Sequence, residues 1–468
     1  MKRILVIALL VILLAVPSTA YADIAPPAQP PGSSLQPGSQ STQVRMSAET
    51  VKIDVQPSAS DKSLGQARVT ADFTMHNTGD AAEDMAVRFP IGASDGFFKV
   101  NELHDLQVKV NGQPIRTRRI DGEDPYNGSD PVPWAEFDVA FPPGQDVPVE
   151  VQYTLEASGE YPFIWFKYVL STGAAWKDTI GSADIIVQLP YPADIQNILT
   201  DSPGIVTGTT PGGALNGNSL RWHYENLEPT TQDNFEVNLV MPAAWQRLLT
   251  EQKNVTANPL DGEAWGRLGK LCKEMAFSSR GKGFRVGSMD PGAAELYDRS
   301  LQAYERAVTL LPKDAQWHAG YADALAYHAY FKAFEGADTT EEALHSMREI
   351  QTALALSPHD PKVQEIAQRI ASSFPDAIQH AGDAYVFSWL TATPPAVEVA
   401  SQAPTEIAQV QAASETPTTV PTSTLQQLPT ASAAAPVSKP SAPFCGSALI
   451  FPMLLGGLLL AGNAKRRN

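Results

Sequence analysis

From residue 43 to residue 241 the apolar positions alternate with polar ones. Val51, Ile53 and Val55 are separated by Lys52 and Asp54, and Val69, Ala71, Phe73 and Met75 by Thr70, Asp72 and Thr74. A period of two buries one face and wets the other, which predicts antiparallel strands. Asn77-Thr78-Gly79-Asp80 supplies a turn before Met85, Val87 and Phe89 resume the alternation. Leu106, Val108 and Val110 run into Asn111-Gly112, a dipeptide suited to the positive φ of a two-residue hairpin. Phe137, Val139 and Phe141 are answered across Pro142-Pro143-Gly144 by Val149, Val151, Tyr153 and Leu155. The nearly unbroken apolar run 163–170 predicts a central strand. Residues 185–189, a Gly/Pro/Thr-rich stretch over 204–217, then Trp222, Tyr224, Phe235, Val237 and Leu239 close the region. Many short strands with turn chemistry between them predict an all-β sandwich region over 43–241, one enlarged sandwich or two packed ones.

The period changes at Pro242, a residue well suited to a first helical turn. Trp245, Leu248 and Leu249 mark one apolar face; after Asn258-Pro259-Leu260-Asp261, Trp265, Leu268, Gly269 and Cys272 mark the next. A repeat follows. Ser300, Leu301, Tyr304, Ala307, Val308, Leu310, Pro312 and Asp314 return 46 residues later as Ser346, Met347, Ile350, Ala353, Leu354, Leu356, Pro358 and Asp360. Each block predicts a helix with small residues where a neighbour packs closely, stopped by Pro and followed by a new helix.

Two resemblances follow from these residues. Trp265, Leu268 and Gly269, with Tyr304, Ala307 and Pro312, resemble the first and second helices of the tetratricopeptide repeat, whose unit is two antiparallel helices. The 46-residue spacing exceeds that family's usual length of about 34, the excess falling at 278–289 and 334–340, and Trp317-His318-Ala319-Gly320-Tyr321 matches a first helix only approximately. The resemblance covers two degenerate repeats plus flanking helices over about 243–372, within a helical domain set at 242–390. It implies a stack with a partner-binding face, or a compact helical domain. The phrases Ala67-Arg68-Val69-Thr70, Asn77-Thr78-Gly79 and Val87-Arg88-Phe89-Pro90 resemble secreted bacterial β-sandwich families of uncharacterised activity. So do Thr172-Gly173-Ala174-Ala175-Trp176-Lys177-Asp178-Thr179-Ile180-Gly181 and Leu227-Glu228-Pro229-Thr230-Thr231-Gln232-Asp233-Asn234. That likeness implies a location and no activity.

The two ends add a topology. Lys2 and Arg3 precede an apolar run to Val16, and Thr19-Ala20-Tyr21-Ala22 offers small residues for cleavage, so 1–22 reads as a signal peptide. No cysteine near that site supports an N-terminal lipoprotein. Residues 23–42, rich in Pro, Ser, Gln and Gly, read as a disordered lead-in, and 391–443, rich in Pro, Thr, Ser and Ala, as a disordered stalk. A stalk of that length reaches roughly 40 Å and its Ser/Thr content permits O-glycosylation. Residues 444–462 carry no charge and are long enough to cross a hydrocarbon core. Lys465, Arg466 and Arg467, in the tail 463–468, place that end on the cytoplasmic side. The apolar segment reads either as a retained transmembrane helix, with Gly457 and Ala461 on a small-residue face, or as a processed sorting signal built on Cys445-Gly446. Pro452 and the short tail are compatible with both. Leu428-Pro429-Thr430-Ala431-Ser432 lacks the Thr-Gly of a sortase signal and is set aside.

Charge narrows the partners. The net charge is −17, and without the five terminal basic residues the exported part holds 29 basic against 51 acidic groups, a formal −22. Such a surface repels nucleic acid and anionic headgroups, and it also keeps an exported chain soluble. The two cysteines, Cys272 in a helical pattern and Cys445 at the membrane edge, offer no disulfide framework, so hydrophobic cores must hold the fold.

Candidate chemistry is sparse. The oxygen-rich loop Asp121-Gly122-Glu123-Asp124-Pro125-Tyr126-Asn127-Gly128-Ser129-Asp130 has calcium-type ligands without the helix–loop–helix spacing, and reads first as a solvated turn. Arg280, Lys282 and Arg285, interleaved with Gly281, Gly283, Phe284 and Gly287, resemble an anion-binding loop, but no phosphate-loop Lys-Ser/Thr follows. A solvated insertion or a contact to an acidic partner is the reading. Among eight histidines, His318 and His328 are the nearest pair and lack metal-ligand spacing. Gly-x-Ser-x-Gly, His-Glu-x-x-His and Cys-x-x-Cys do not occur. Tyr321, Tyr327, Tyr330, Phe331 and Phe334 cluster in sequence, read as core packing with a partner groove as the alternative. No catalytic, cofactor-binding or metal-binding residue is assigned. The sequence predicts a membrane-anchored cell-surface protein acting as a protein-interaction or structural module, with the membrane and another protein at the helical face as partners. The rival is an extracytoplasmic enzyme, glycan-active for example, with a site assembled from scattered residues.

Overall fold

A computed structural model describes residues 35–38, 42–57, 64–92, 102–122, 131–199, 208–277, 290–334, 336–382 and 384–390. In chain order the first strands are β1 (Gln36–Pro37), β2 (Val44–Val55), β3 (Gln66–Asn77), β4 (Glu83–Pro90), β5 (His104–Val110), β6 (Gln113–Ile115) and β7 (Arg118–Gly122). They are followed by β8 (Val132–Phe141), β9 (Asp146–Glu156), β10 (Ser158–Glu160), β11 (Phe163–Tyr168), β12 (Ile180–Gln188), β13 (Ala214–Asn216), β14 (Ser219–Leu227) and β15 (Phe235–Val240). Six helices come next: α1 (Pro242–Ala257), α2 (Gly262–Phe277), α3 (Pro291–Leu310), α4 (Ala315–Phe334), α5 (Thr340–Leu356) and α6 (Pro361–Ser373). A terminal hairpin, β16 (Ile378–Ala381) and β17 (Ala384–Phe387), ends the described chain.

The strands form an eight-stranded sheet ordered β13-β14-β12-β2-β3-β9-β5-β6, a four-stranded sheet β1-β4-β8-β7 and a three-stranded sheet β10-β11-β15. The Asn111-Gly112 hairpin closes between β5 and β6, both residues at positive φ. The expectation of purely antiparallel strands needs correction, because β12 pairs parallel to β2 at the centre of the large sheet. A period of two reports which face is buried and is silent about strand direction. The turn segments 77–80 and 142–144 also do more than join neighbours. β3 and β9 lie in the large sheet while β4 and β8 lie in the small one, so both segments are corners between sheets. Asn77 ties the two corners together. Its buried amide donates to Ala81 O and Phe141 O, each at 2.8 Å, and its Oδ1 accepts from Gly79 N at 2.9 Å.

The lead-in is corrected at residues 35–38, while 23–34 and 39–41 lie outside the described residues. Within 23–42, Leu35 is fully buried, Trp176 Nε1 donates to its carbonyl at 2.8 Å, and Gln36–Pro37 joins β4 as an edge strand. Proline is tolerated at such an edge, and the composition that suggested disorder hides one leucine that anchors. The run 163–170 becomes the middle strand of the three-stranded sheet. Its Ile164, Phe166 and Tyr168 pair with Leu239, Val237 and Phe235 on one fully buried face. Opposite that face, Glu49 on β2 is a carboxylate 1% exposed, and Tyr168 Oη donates to it at 2.7 Å. The apolar core continues from the strands into the first helices without a break, through Met241, Ala244, Trp245 and Leu248 to Leu296 and Ala303.

The helices carry a shared turn. Each of α2, α4 and α6 is preceded by Pro-x-Asp: Pro259 and Asp261, Pro312 and Asp314, Pro358 and Asp360. The Asp carboxylates accept from the backbone N–H of Ala264, of Gln316 and Trp317, and of Lys362 and Val363, which caps each helix start. Six residues after each proline, Trp265 Nε1, His318 Nε2 and Gln364 Nε2 reach back to the proline carbonyl at 3.0, 3.2 and 2.5 Å. Ser300 and Ser346, Tyr304 and Ile350, Ala307 and Ala353 occupy matching buried positions on α3 and α5. Close packing needs glycine at Gly266 and Gly269, where an added Cβ would stand 2.3 Å from Trp317 and 2.9 Å from Tyr304. Residues 1–22 and 391–468 lie outside the described part, so the segments expected to be signal peptide, stalk, anchor and tail, with Cys445, do as well. Among the described residues no helix is long and apolar enough to cross a membrane.

Candidate functional site: the face of α2, α4 and α6

Helices α2, α4 and α6 pack side by side, α4 against both others. Their shared face gathers charge around one buried carboxylate. Asp323 on α4, with its side chain 4% exposed, accepts from Lys273 Nζ of α2 at 2.5 Å and from Arg369 Nε of α6 at 3.0 Å. Burial pushes the Asp323 pKa up, and Lys273 and Arg369 together more than offset this, holding it below the usual carboxylate range. The Arg369 guanidinium also stands 5.7 Å from the centre of the Tyr327 ring, within cation–π range. One residue from each helix therefore meets at a single point, and the point fixes the spacing of all three.

Around this centre the face is aromatic and polar. Tyr327 stacks near Phe331 and Phe277, and Tyr330 packs edge-on to Phe331 while remaining 38% exposed. Glu274 on α2 accepts from Tyr161 Oη at 3.1 Å, which links the turn between β10 and β11 to the helices. Burial, then the Glu274 charge, pushes the Tyr161 pKa up. A second cluster joins α3, α4 and α5. Tyr297 donates to Glu342, His328 Nδ1 lies 2.9 Å from the same carboxylate, and the Tyr297 and His328 rings stack at 3.9 Å. A third lies between α4 and α5, where His318 Nδ1 is 2.6 Å from Glu349 and His345 Nε2 is 3.5 Å from it. With acceptors at both its ring nitrogens, His318 is built to be imidazolium. Its pKa is raised, chiefly by the Glu349 hydrogen bond.

The expected clusters are divided by this arrangement. Tyr321 turns away from Tyr327, Tyr330 and Phe331 to pack between Tyr304 and His345. His318 and His328 each take a different glutamate. Cys272 is fully buried, and burial pushes its thiol up to about 12, which keeps it a thiol rather than a nucleophile. Ser300 and Ser346 donate to the carbonyls of Gly269 and Ala322 across helix contacts. Asp121 and Gly122 end β7, whereas residues 123–130 of the oxygen-rich loop and 278–289 with Arg280, Lys282 and Arg285 lie outside the described residues. Among the described residues no group of three or more His, Cys, Asp or Glu is placed to hold a metal ion. The Lys273–Asp323–Arg369 centre went unread in the sequence. A signal was present: Asp323 and Arg369 are 46 residues apart, the period of the repeat, so opposite charges stand at equivalent positions of successive units.

No family model matches the chain, and no curated protein matches it. Among solved structures, a proposed nutrient-binding protein from Legionella pneumophila aligns at 18% identity over 58% of this chain and 98% of its own, with a TM-score of 0.38. An M1 zinc metallopeptidase from Deinococcus radiodurans aligns at 8% identity over 69% of this chain and 78% of its own, with a TM-score of 0.24. A mutant form of that M1 enzyme aligns over 42% of each chain, so this chain spans about two fifths of its length. These are weak likenesses of fold, and none bears on activity.

Proposed function

We propose that the chain is an extracytoplasmic protein, anchored by its C-terminal segment, whose tetratricopeptide-like helices form a protein-interaction face carried beside a β-sandwich region. The observation that carries the reading is the Pro-x-Asp turn used three times with the same reach-back to the proline carbonyl. A turn repeated with its own hydrogen bond makes α2, α4 and α6 equivalent units, and stacked equivalent units generate an extended face suited to a partner. Lys270 and Tyr330 are exposed on that face, beside the charged centre that holds it in shape. The net negative charge disfavours nucleic acid as the partner of that face. The test is affinity capture from the native envelope with the full chain and with a Lys270→Glu/Tyr330→Ala double variant. A protein retained by the first and lost by the second supports the reading; identical capture by both would falsify it. The anchor is tested separately by membrane sedimentation of the full chain against one stopped before residue 444. Recovery of both in the soluble fraction would remove it.

A further inference from the structure

The outer face of the β11–β15 pair carries polar groups where a core would be apolar. Antiparallel register sets Trp165 across from Asn238 and Lys167 across from Glu236, so these four side chains share one face. Lys167 is 8% exposed and Asn238 3%. Lys167 Nζ lies 3.0 Å from Glu236 Oε2, and Asn238 Nδ2 donates to Glu236 Oε1 at 2.7 Å. One carboxylate thus bridges a buried amine and a buried carboxamide on adjacent strands. On the same face the indole N–H of Trp165 is buried and, among the described residues, has no hydrogen-bond acceptor.

We propose that Lys167 and Asn238 form an intramolecular amide cross-link, with Glu236 as the catalytic proton carrier. A lysine is a nucleophile only as its neutral amine, so the ammonium must first give up a proton, and the Glu236 carboxylate 3.0 Å away is the acceptor within reach. Glu236 takes the proton from the Lys167 ammonium. The freed Nζ attacks Cγ of Asn238, forming a C–N bond and placing negative charge on the carboxamide oxygen, which the unspent Trp165 N–H is available to stabilise. Glu236 then delivers a proton to Nδ2, the Cγ–Nδ2 bond breaks, and ammonia departs. The attacking nitrogen gives up its extra proton, so that lysine ammonium and asparagine become a secondary amide and ammonium. Glu236 ends as the carboxylate it began as, and no other reactant is needed. Geometry contributes most, because the strand pair holds the amine and the carboxamide against the same carboxylate before any bond forms. This cross-link is independent of the interaction role proposed for the helices.

Peptide-level mass spectrometry of the denatured, protease-digested full chain decides the matter. The expected product is one bridged species joining the Lys167 and Asn238 peptides, lighter than their sum by one ammonia. Lys167→Arg keeps the charge facing Glu236 but has no amine to acylate, and Glu236→Gln keeps the shape but cannot carry the proton. Both variants should yield only the two linear peptides at full mass. Linear peptides alone from the wild-type chain would overturn the cross-link, whether or not the variants fold. A bridged species in Glu236→Gln would overturn the role of Glu236.

Discussion

The strand region and the helical region fill their interiors in opposite ways. Between the sheets the fully buried side chains are large: Phe73, Phe89, Phe137, Phe141, Phe166, Phe235 and Trp222. Between the helices many are small, as with Ala319, Ala322, Ala324, Ala326 and Ala329 along α4, and Ala307 and Ala353 beside it. Sheets packed face to face stand roughly 10 Å apart and need long side chains to fill the gap, whereas these helices approach closely enough that an added Cβ at Gly266 or Gly269 would collide. Their polar interiors differ as well. In the strands a buried amide such as Asn77 satisfies backbone at corners and the Lys167–Glu236 pair joins two neighbouring strands; in the helices Lys273, Asp323 and Arg369 join three elements at one point. Large side chains fix the distance between sheets, while small ones leave the helices to be aligned by ion pairs.

The comparison breaks most visibly where a large residue is removed. Phe166→Ala in the sheet interior is expected to cost about 4 kcal/mol, a transfer loss plus a cavity that neighbouring strands cannot close, read from urea unfolding. A loss below about 1 kcal/mol would mean the sheets collapse around the gap and the contrast with the helices is false. In the helices the greatest sensitivity should belong to a charge. Asp323→Ala strands Lys273 and Arg369 against one another and is expected to cost about 3 kcal/mol, reduced from the full value for a buried pair because Arg369 is partly exposed. The same unfolding measurement on Asp323→Ala with Arg369→Met should recover part of it, and no recovery would detach Arg369 from the centre.

Enlargement sharpens the comparison from the other side. Ala353→Phe is expected to overpack a fully buried helix contact and destabilise by about 2 kcal/mol, visible as a lower thermal midpoint. An unchanged midpoint would remove Ala353 from a close approach. The smallest effect is one of pH. Since Glu349 raises the folded-state pKa of His318, the stabilisation is fully present below the ordinary histidine value of 6.5 and is lost as pH rises through the raised one. Thermal melts of wild type and His318→Gln should therefore lie furthest apart in mildly acidic buffer and converge as pH rises. A gap that widens with pH would reverse the assignment of His318 as imidazolium.

What was legible in the sequence was burial, and what was not was direction and company. Alternation located β2, β3 and β9 because each has one wet face, and the 46-residue echo located α3 and α5. Neither pattern carried the parallel pairing of β2 with β12, since a buried face looks the same in both directions. The corners at 77–80 and 142–144 read as ordinary turns, because turn residues report a change of direction and not whether the next strand stays in the same sheet. The charged centre escaped for a related reason. Lys273, Asp323 and Arg369 come from three helices, and each alone looks like a solvated face. Only the equivalence of Asp323 and Arg369 under the repeat would have drawn them together. The terminal hairpin at 378–387 fell inside a stretch read as helical, where Ile378 and Phe387 are too few to set a period of their own.

That hairpin has a mechanical consequence. Any tension on the chain beyond residue 390 enters through β17, which lies antiparallel to β16 and carries the pull at one end of its ladder, Phe387 opposite Ile378. Loaded in this way the hydrogen bonds open one after another, as a zipper does, and never share the load. The parallel pair β2 and β12 has the opposite geometry, seven residue pairs in register that slide only if all yield together. A pull on the carboxyl end is therefore spent first on a few residues whose opening uncovers Ile378 and Phe387 at the end of the helical stack, while the sheets feel little of it.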